Sequence, residues 1–260
     1  MSLTFFPGKY MIMRNCGLKQ EAAVPMKLSL VIPAYNESEI VLETIRTVTA
    51  RLAELTEDYE VLIVDDGSTD GMGRLVRDCG DPHVRLEGYT PNRGKGCAVR
   101  TGMLAAGGDI ILCTDADLAY GVDVLAVMLD RFRSGEADLV IGSRRMGSEG
   151  YKNYPPLRIL MSKCFGLLSH MISGLPYDTQ CGLKGYQRES AQAIFSRCTT
   201  DGFSFDFEVL MRADRLGLKV EQIPVSVINF RASKVNVVKD SARMFRDVFR
   251  IRRAVRREKP

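Results

Sequence analysis

The stretch DIILCTDADLAY, residues 109–120, ends an oily run in two aspartates, Asp115 and Asp117, one residue apart. Like charges so close repel unless a cation or water lies between them. If Asp115-Ala116-Asp117 is extended, side chains at i and i+2 share one face, and both carboxylates can address one cation. Hard oxygen donors favour Mg²⁺ or Mn²⁺, and Mg²⁺ is commonly held by one or two carboxylates together with substrate phosphates. That chemistry points to a nucleotide diphosphate as the third party. The competing use is structural: Asp117 could N-cap a helix beginning near Gly121.

These acids need elements to place them. LSLVI (28–32) reads as a strand closed by Pro33, and 38–55 carries Ile40, Ile45, Val48, Leu52 and Leu55 near helical spacing, with Ser38 as N-cap. YEVLIV then runs into DDGSTD (65–70) and a short helix, and VRLEGY (84–89) leads to NRGKG and a helix from about Cys97 to Ala106. DIILCTD is the fourth strand, a helix follows over 122–134, and ADLVIGS (137–143) is the fifth. The alternation predicts an α/β fold, a mainly parallel central sheet flanked by helices with right-handed crossovers. In such sheets ligands sit outside the carboxyl ends of the strands. PAYNE (33–37), DDGSTD, NRGKG (92–96) and DAD (115–117) all fall there, on one polar rim. Each cluster alone is an ordinary turn former, but four at one edge favour a site. Neither GxGxxG nor GxxxxGK[ST] follows a strand, which excludes a dinucleotide fingerprint and a P-loop. After Ser143 the pattern gives an amphipathic helix over 157–173, the stretch DTQCGLKGYQRES (178–190), a helix around 205–216, a strand over 219–228, and a basic tail.

Composition narrows the class. An apolar share of 45% supports a real core. Seven cysteines, none in a CxxC pair, argue against a disulfide framework and a zinc site and for a reducing compartment. Two histidines leave little material for a Ser-His-Asp triad. The net charge of +4 is a property of the tail, because residues 239–260 hold nine Lys/Arg against three acids, leaving −2 for the rest. No stretch reaches the roughly 18 uncharged apolar residues of a membrane span. The start lacks the pattern of a secretory signal and reads as an arm over 1–26, whose first residues could be a cloning remnant.

The set VIPAYNE, VDDGSTD, NRGKG and DADL, in this order and at this spacing, resembles the family 2 glycosyltransferases of the GT-A (nucleotide-diphospho-sugar transferase) fold. DTQCGLKGYQRE and GFSFDFEVL (202–210) are similar to the subgroup that moves a hexose from a sugar nucleotide to dolichyl or undecaprenyl phosphate, with DTQCG leaning toward the dolichyl-phosphate glucosyl branch. The resemblance covers about 28–235 and implies a catalytic domain over 27–236 that acts with inversion on a UDP- or GDP-sugar. It implies that Pro33, Ala34, Tyr35 and Glu37 line the nucleoside, that Asp65 contacts the base or ribose, and that Asp66 supports the turn. Lys95 and Ala116 would lie near the sugar nucleotide, and Asp115 and Asp117 would bind it and the Mg²⁺ or Mn²⁺. Arg144 would meet the phosphates, Arg231 and Lys234 would close over the diphosphate, and these three with Asp117 form the implied catalytic set. Asp178 and Gln180 mark the acceptor region. Ala119 departs from the pattern, since some mannosyl members carry Gln there as a further metal ligand; water or another residue, with Gln180 one option, would complete the shell. Gln180 could equally serve loop hydrogen bonding.

A lipid phosphate, with a second pKa of about 6 by analogy with protein phosphomonoesters, is largely anionic at neutral pH and needs no general base. A hydroxyl acceptor needs one, with Asp178, Asp206 or Glu208 as the options. The chain has no tryptophan, whereas the processive synthases it otherwise resembles carry one in QxxRW, so polymerisation is not expected. In the tail (237–260), Met244, Val248, Ile251 and Val255 form a stripe with Phe245 and Phe249 alongside, among arginines. This basic amphipathic helix could lie in an anionic membrane surface or pack on the domain. Nucleic acid is not expected as a partner, because no stacking aromatics are arrayed on a basic sheet. The expected setting is cytoplasmic and peripheral to the membrane's cytoplasmic face. A transferase with a soluble or protein-bound hydroxyl acceptor and a non-catalytic sugar-nucleotide-binding scaffold remain as alternatives; a nucleotidyltransferase is disfavoured by PAYNE where a glycine-rich signature belongs.

Overall fold

A computed structural model describes residues 26–146, 159, 166–167, 169–229 and 237–258, with side chains omitted at 237–243 and 245. β1 (Leu28–Ala34), α1 (Val41–Leu55), β2 (Tyr59–Asp65), α2 (Met72–Arg77), β3 (Val84–Gly88), α3 (Lys95–Ala105), β4 (Ile110–Cys113), α4 (Val124–Arg133) and β5 (Leu139–Ser143) follow the expected alternation. Then come β6 (Lys184–Gln187), α5 (Arg188–Phe195), α6 (Phe205–Arg215), β7 (Val220–Pro224) and α7 (Val237–Arg257). Seven strands form one sheet in the order β3-β2-β1-β4-β6-β5-β7. β1 pairs in parallel with β2 and β4, β2 with β3, and β5 with β7; β6 runs antiparallel between β4 and β5.

Period-two alternation sends the two faces of each central strand to different cores. Leu28, Leu30, Ile32, Val61, Ile63 and Leu112 pack under α1, α2 and α4, while Val31, Leu62, Val64, Ile111 and Cys113 pack under α3, α5 and α6. Every residue of β1 is buried, as expected of a parallel strand covered on both faces. α3 approaches β1 and β2 closely because Gly102 stands where a Cβ would collide with Val31 and Val64.

Several expectations are corrected. Ser38 does not cap α1: the helix begins at Val41, and the Ser38 N–H donates to Asp70 Oδ2 at 2.9 Å. β4 stops at Cys113, so Asp115-Ala116-Asp117 is not extended; the Leu118 N–H closes a turn onto the Asp115 carbonyl at 3.0 Å, with Leu118 at a φ of 47°. Asp117 caps no helix, because α4 starts at Val124. β6 has no counterpart in the sequence reading, for its four residues open with a buried lysine and a glycine.

The tail's two readings separate. α7 buries Val248, Ile251 and Val255 in the same core as Val209, Leu210 and Ala213 of α6, with Met244 against it. Ser204 Oγ donates to Asp247 at 3.3 Å, and Arg212 pairs with Glu258 at 2.7 Å. The apolar stripe therefore packs on the domain. No helix among the described residues is long and apolar enough to cross a membrane. The arm over 1–25 and most of the 157–173 helix lie outside the described residues.

Candidate active site

β1 and β4 are adjacent, yet the chain from β1 winds outward to β2 and β3 before returning to β4 on the other side. This switch point leaves a crevice at the strands' carboxyl ends. From β1, Pro33 and Ala34 are buried and shape backbone, while Tyr35 is 41% exposed and Glu37 partly so. Asn36, at a φ of 54°, stitches this end to the next: its N–H donates to Ser68 Oγ at 2.9 Å, and its Oδ1 accepts the Thr69 N–H at 2.8 Å.

Asp65 and Asp66 divide their duties. Asp65 ends β2 opposite Ala34 and accepts the Ser68 N–H at 2.8 Å. Asp66 is 4% exposed and accepts from Tyr89 Oη (2.8 Å), Asn92 Nδ2 (2.8 Å) and the backbone N–H groups of Arg93 (2.9 Å) and Gly94 (3.0 Å). Those bonds shape the NRGKG loop, so Asp66 supports the turn and delivers Lys95 to the crevice.

Lys95 Nζ donates to Asp115 Oδ1. Burial works against the charge on Lys95, but Asp115 and Asp206 outweigh it and raise its pKa. Among the described residues, Asp117 accepts only a local bond, from the Ala119 N–H at 3.1 Å. Burial pushes its carboxyl up, the Asp115 charge pushes further, and the Ala119 N–H and Lys95 only partly oppose them; Glu37 adds to the rise. The carboxylates thus sense one another from within a turn. Ala116 is buried, and its carbonyl accepts Thr44 Oγ1 at 2.7 Å, which fixes the turn to α1.

A second layer was missed from sequence. Gly182 stands against the Asp115 carboxylate, where any Cβ would collide with it. Two residues on, Lys184 is 2% exposed, donates to the Cys181 carbonyl, and pairs with Asp206 at 2.6 Å. Burial raises the Asp206 pKa, while Lys184 and Lys95 restrain the rise. A lysine between glycines in an otherwise apolar run, CGLKGY, was the only signal available in the sequence.

Arg144 is 6% exposed, and its Nε and Nη2 both donate to Asp178, at 3.0 and 2.8 Å. Burial alone would raise Asp178, but Arg144 holds it below the usual carboxylate range. The pair is a buried clamp in which two guanidinium nitrogens of Arg144 face Asp178. The Gln180 backbone N–H donates to Asp178 Oδ1 at 3.2 Å. Glu208 is spent on the N–H groups of Thr199 (3.1 Å) and Thr200 (2.8 Å) and on Arg212 (3.0 Å). The Ala119 carbonyl accepts the N–H groups of Ile228 (2.9 Å) and Asn229 (3.2 Å). Arg231 and Lys234 lie outside the described residues.

The donor set suits a hard divalent cation. Two carboxylates share one turn with a mutual repulsion that Lys95 only partly offsets, and Gly182 keeps a side chain out of the space beside Asp115. Among the described residues no group of three or more His, Cys, Asp or Glu could hold a metal, so phosphates and water would supply the remaining positions.

A mainly parallel sheet with an acidic turn at its switch point defines the GT-A class of fold. The chain belongs to glycosyltransferase family 2, whose profile, Glycosyl transferase family 2, matches residues 29–195. It is similar to the dolichyl-phosphate beta-glucosyltransferase of Saccharomyces cerevisiae, 33% identical over 252 residues, covering 87% of this chain and 74% of that protein. The undecaprenyl-phosphate mannosyltransferase of Micrococcus luteus is 30% identical over 210 residues (78% and 84%). Glycosyltransferase AglD of Haloferax volcanii is 30% identical over 88% of this chain, which spans only 37% of that protein's length. The chain likewise spans 66% of dolichyl-phosphate beta-glucosyltransferase ALG5C of Trichomonas vaginalis. The fold matches glucosyl-3-phosphoglycerate synthase from Mycobacterium tuberculosis, solved with Mn²⁺, UDP and glucosyl-3-phosphoglycerate, at a TM-score of 0.67 and 20% identity over 94% of this chain and 86% of that one.

Proposed function

We propose that the chain is an inverting, divalent-metal-dependent hexosyltransferase that passes a glucose- or mannose-type residue from a UDP- or GDP-sugar to a polyprenyl phosphate, working peripherally at the cytoplasmic face of a membrane. The observation that carries this reading is the Asp115–Asp117 turn in the β1/β4 crevice, with Lys95 on one carboxylate and the other left under repulsion. Asp115 and Asp117 would hold Mg²⁺ or Mn²⁺, which when bound supplies charge neutralisation for the departing nucleoside diphosphate. Tyr35, Glu37 and Asp65 line the nucleoside side of the crevice. Arg231 and Lys234 of FRASK would serve the diphosphate, as the sequence resemblance implies.

The choice of acceptor follows from what the carboxylates are doing. Asp178 is paired with Arg144, Asp206 with Lys184 and Glu208 with Arg212, so none of these three is free to take a proton from a hydroxyl. A phosphate acceptor arrives already anionic: its oxygen forms the bond to the anomeric carbon while the bond to the diphosphate breaks, and the electron pair leaves with the diphosphate. Relatives named for dolichyl and undecaprenyl phosphate support the same acceptor. Membrane contact falls to the outer face of α7, where Phe249 is 57% exposed and a groove of about 430 Å³ is lined by Phe249, Arg250, Arg253, Ala254 and Arg257. Each basic residue near an anionic surface contributes about 1 kcal/mol.

The test is to incubate the chain with Mn²⁺, a UDP- or GDP-hexose and a short polyprenyl phosphate. Nucleoside diphosphate release that requires the lipid phosphate is expected; release driven only by soluble hydroxyl acceptors would contradict the proposal.

A further inference from the structure

The backbone around Lys95 is held from two sides. On one side the Asp66 carboxylate accepts the N–H groups of Arg93 (2.9 Å) and Gly94 (3.0 Å), the two residues before the lysine. On the other the Asp201 carbonyl accepts those of Gly96 (2.8 Å) and Cys97 (3.3 Å), the two residues after it. The first amides of a helix have no partner within it, so α3 takes its cap from a loop far along the chain. The fit is close at both flanks of the lysine: a Cβ at Gly94 would strike the Asp201 carbonyl, and one at Gly96 would strike the Thr200 carbonyl and the Phe205 Cβ. Gly94 also stands at a φ of 109°, a conformation that glycine adopts without strain.

The loop that supplies this cap has no ladder of its own, since residues 198–201 lie in neither helix nor strand. Glu208 fixes its first half by accepting the N–H groups of Thr199 (3.1 Å) and Thr200 (2.8 Å). The Asp201 side chain fixes the tip: its Oδ1 accepts Arg100 Nη2 at 2.6 Å, and Arg93 Nη2 stands 3.7 Å from its Oδ2. Arg100 is on α3 itself, little more than one turn beyond Lys95. Asp201 thus grips the start of α3 twice, by its carbonyl at Gly96 and by its carboxylate at Arg100. An ion pair with this much exposure adds little to stability. Its consequence is positional, because the turn it spans is the one from which Lys95 reaches Asp115.

We propose that Asp201 is a positioning residue for the donor site: its carboxylate, through Arg100, holds the loop that caps α3, and the capped helix start presents Lys95 to Asp115 and to the sugar nucleotide. This rests on the donor-site role proposed for Lys95 and the Asp115–Asp117 turn. Misplacing a functional group by about 1 Å can cost about 100-fold.

The experiment uses the full chain and measures affinity for UDP-glucose and GDP-mannose, each with Mn²⁺, by titration calorimetry alongside thermal unfolding. The parent is compared with Asp201→Ala, Arg100→Gln, their double variant and Lys95→Met. Arg85→Gln is the control, because it breaks a comparable ion pair, with Glu60 at 2.9 Å, near the amino end of β2 and away from the crevice. For the donor that the parent binds, Asp201→Ala and Arg100→Gln are each expected to bind about tenfold more weakly, and the double variant no more weakly than either, because the two side chains act as one unit. Arg85→Gln is expected to bind as the parent does. Arg100→Gln carries the test if Asp201→Ala does not fold. Folded variants at 201 and 100 that bind as tightly as the parent, losses that add in the double variant, or an equal loss in Arg85→Gln would each overturn the inference alone. Parent-like binding by Lys95→Met, or binding of neither donor by the parent, would overturn the donor site on which it rests.

Discussion

The two acidic regions flanking the crevice handle charge in opposite ways. Asp178 is buried, receives two guanidinium bonds and a backbone N–H from Arg144, and has its pKa lowered despite burial. Asp117, nearby in function but not in environment, receives a single backbone bond among the described residues and has its pKa raised by burial and by Asp115. A saturated carboxylate holds structure. An unsaturated one, kept charged in a place that disfavours charge, is held ready for a ligand that supplies the missing cation.

The sharpest way to break this contrast is Asp117→Ala. Transfer should fall on the order of 10³-fold, the scale of losing a charge-stabilising group at a reacting centre, while the unfolding midpoint holds or rises. Unimpaired turnover by the folded variant would remove Asp117 from the chemistry. Asp178→Ala should instead act on stability, because it removes the carboxylate to which the Arg144 backbone N–H, Nε and Nη2 all donate. A loss of about 2 kcal/mol is expected in urea unfolding, with the slope unchanged.

Acidity separates the two regions in sign. The Asp178 contribution is present above the ordinary carboxylate range and is lost as pH falls through its lowered pKa. Asp117, with its raised pKa, is least costly at low pH and destabilises the fold as pH rises through that value. Asp117→Asn should therefore raise the unfolding midpoint at neutral pH by a few degrees, with the gain shrinking on acidification, whereas Asp178→Asn should lower it at neutral pH. Midpoints that move together across pH would dissolve the distinction. The smallest effect belongs to the outer face of α7: reversing Arg250 and Arg253 to Glu should weaken flotation with anionic vesicles and leave donor binding unchanged, and equal flotation would place any lipid contact elsewhere.

These regions also differ in how far they could be read from sequence. The rim is legible because each part is local: an apolar run marks the strand, and PAYNE, DDGSTD, NRGKG and DAD follow within a few residues. The parallel half of the sheet follows from the same runs. Asp178 reaches back 34 positions to Arg144 and Lys184 forward 22 to Asp206, and no spacing announces a pairing that only the fold makes. β6 hides for a related reason, since its buried lysine is compensated by a residue on another element. The tail stripe was visible, but periodicity alone could not say whether water, lipid or α6 covers it; Val248, Ile251 and Val255 lie against the domain.

The central claim is that the Asp115–Asp117 turn binds a sugar nucleotide through a divalent cation. Titration calorimetry of UDP-glucose and GDP-mannose into the parent and Asp117→Asn, each with Mn²⁺ and with chelator, tests it most directly. One of the two donors should bind the parent only when Mn²⁺ is present and should lose that binding in Asp117→Asn. Binding of equal strength in chelator, or binding left intact by Asp117→Asn, would contradict the account.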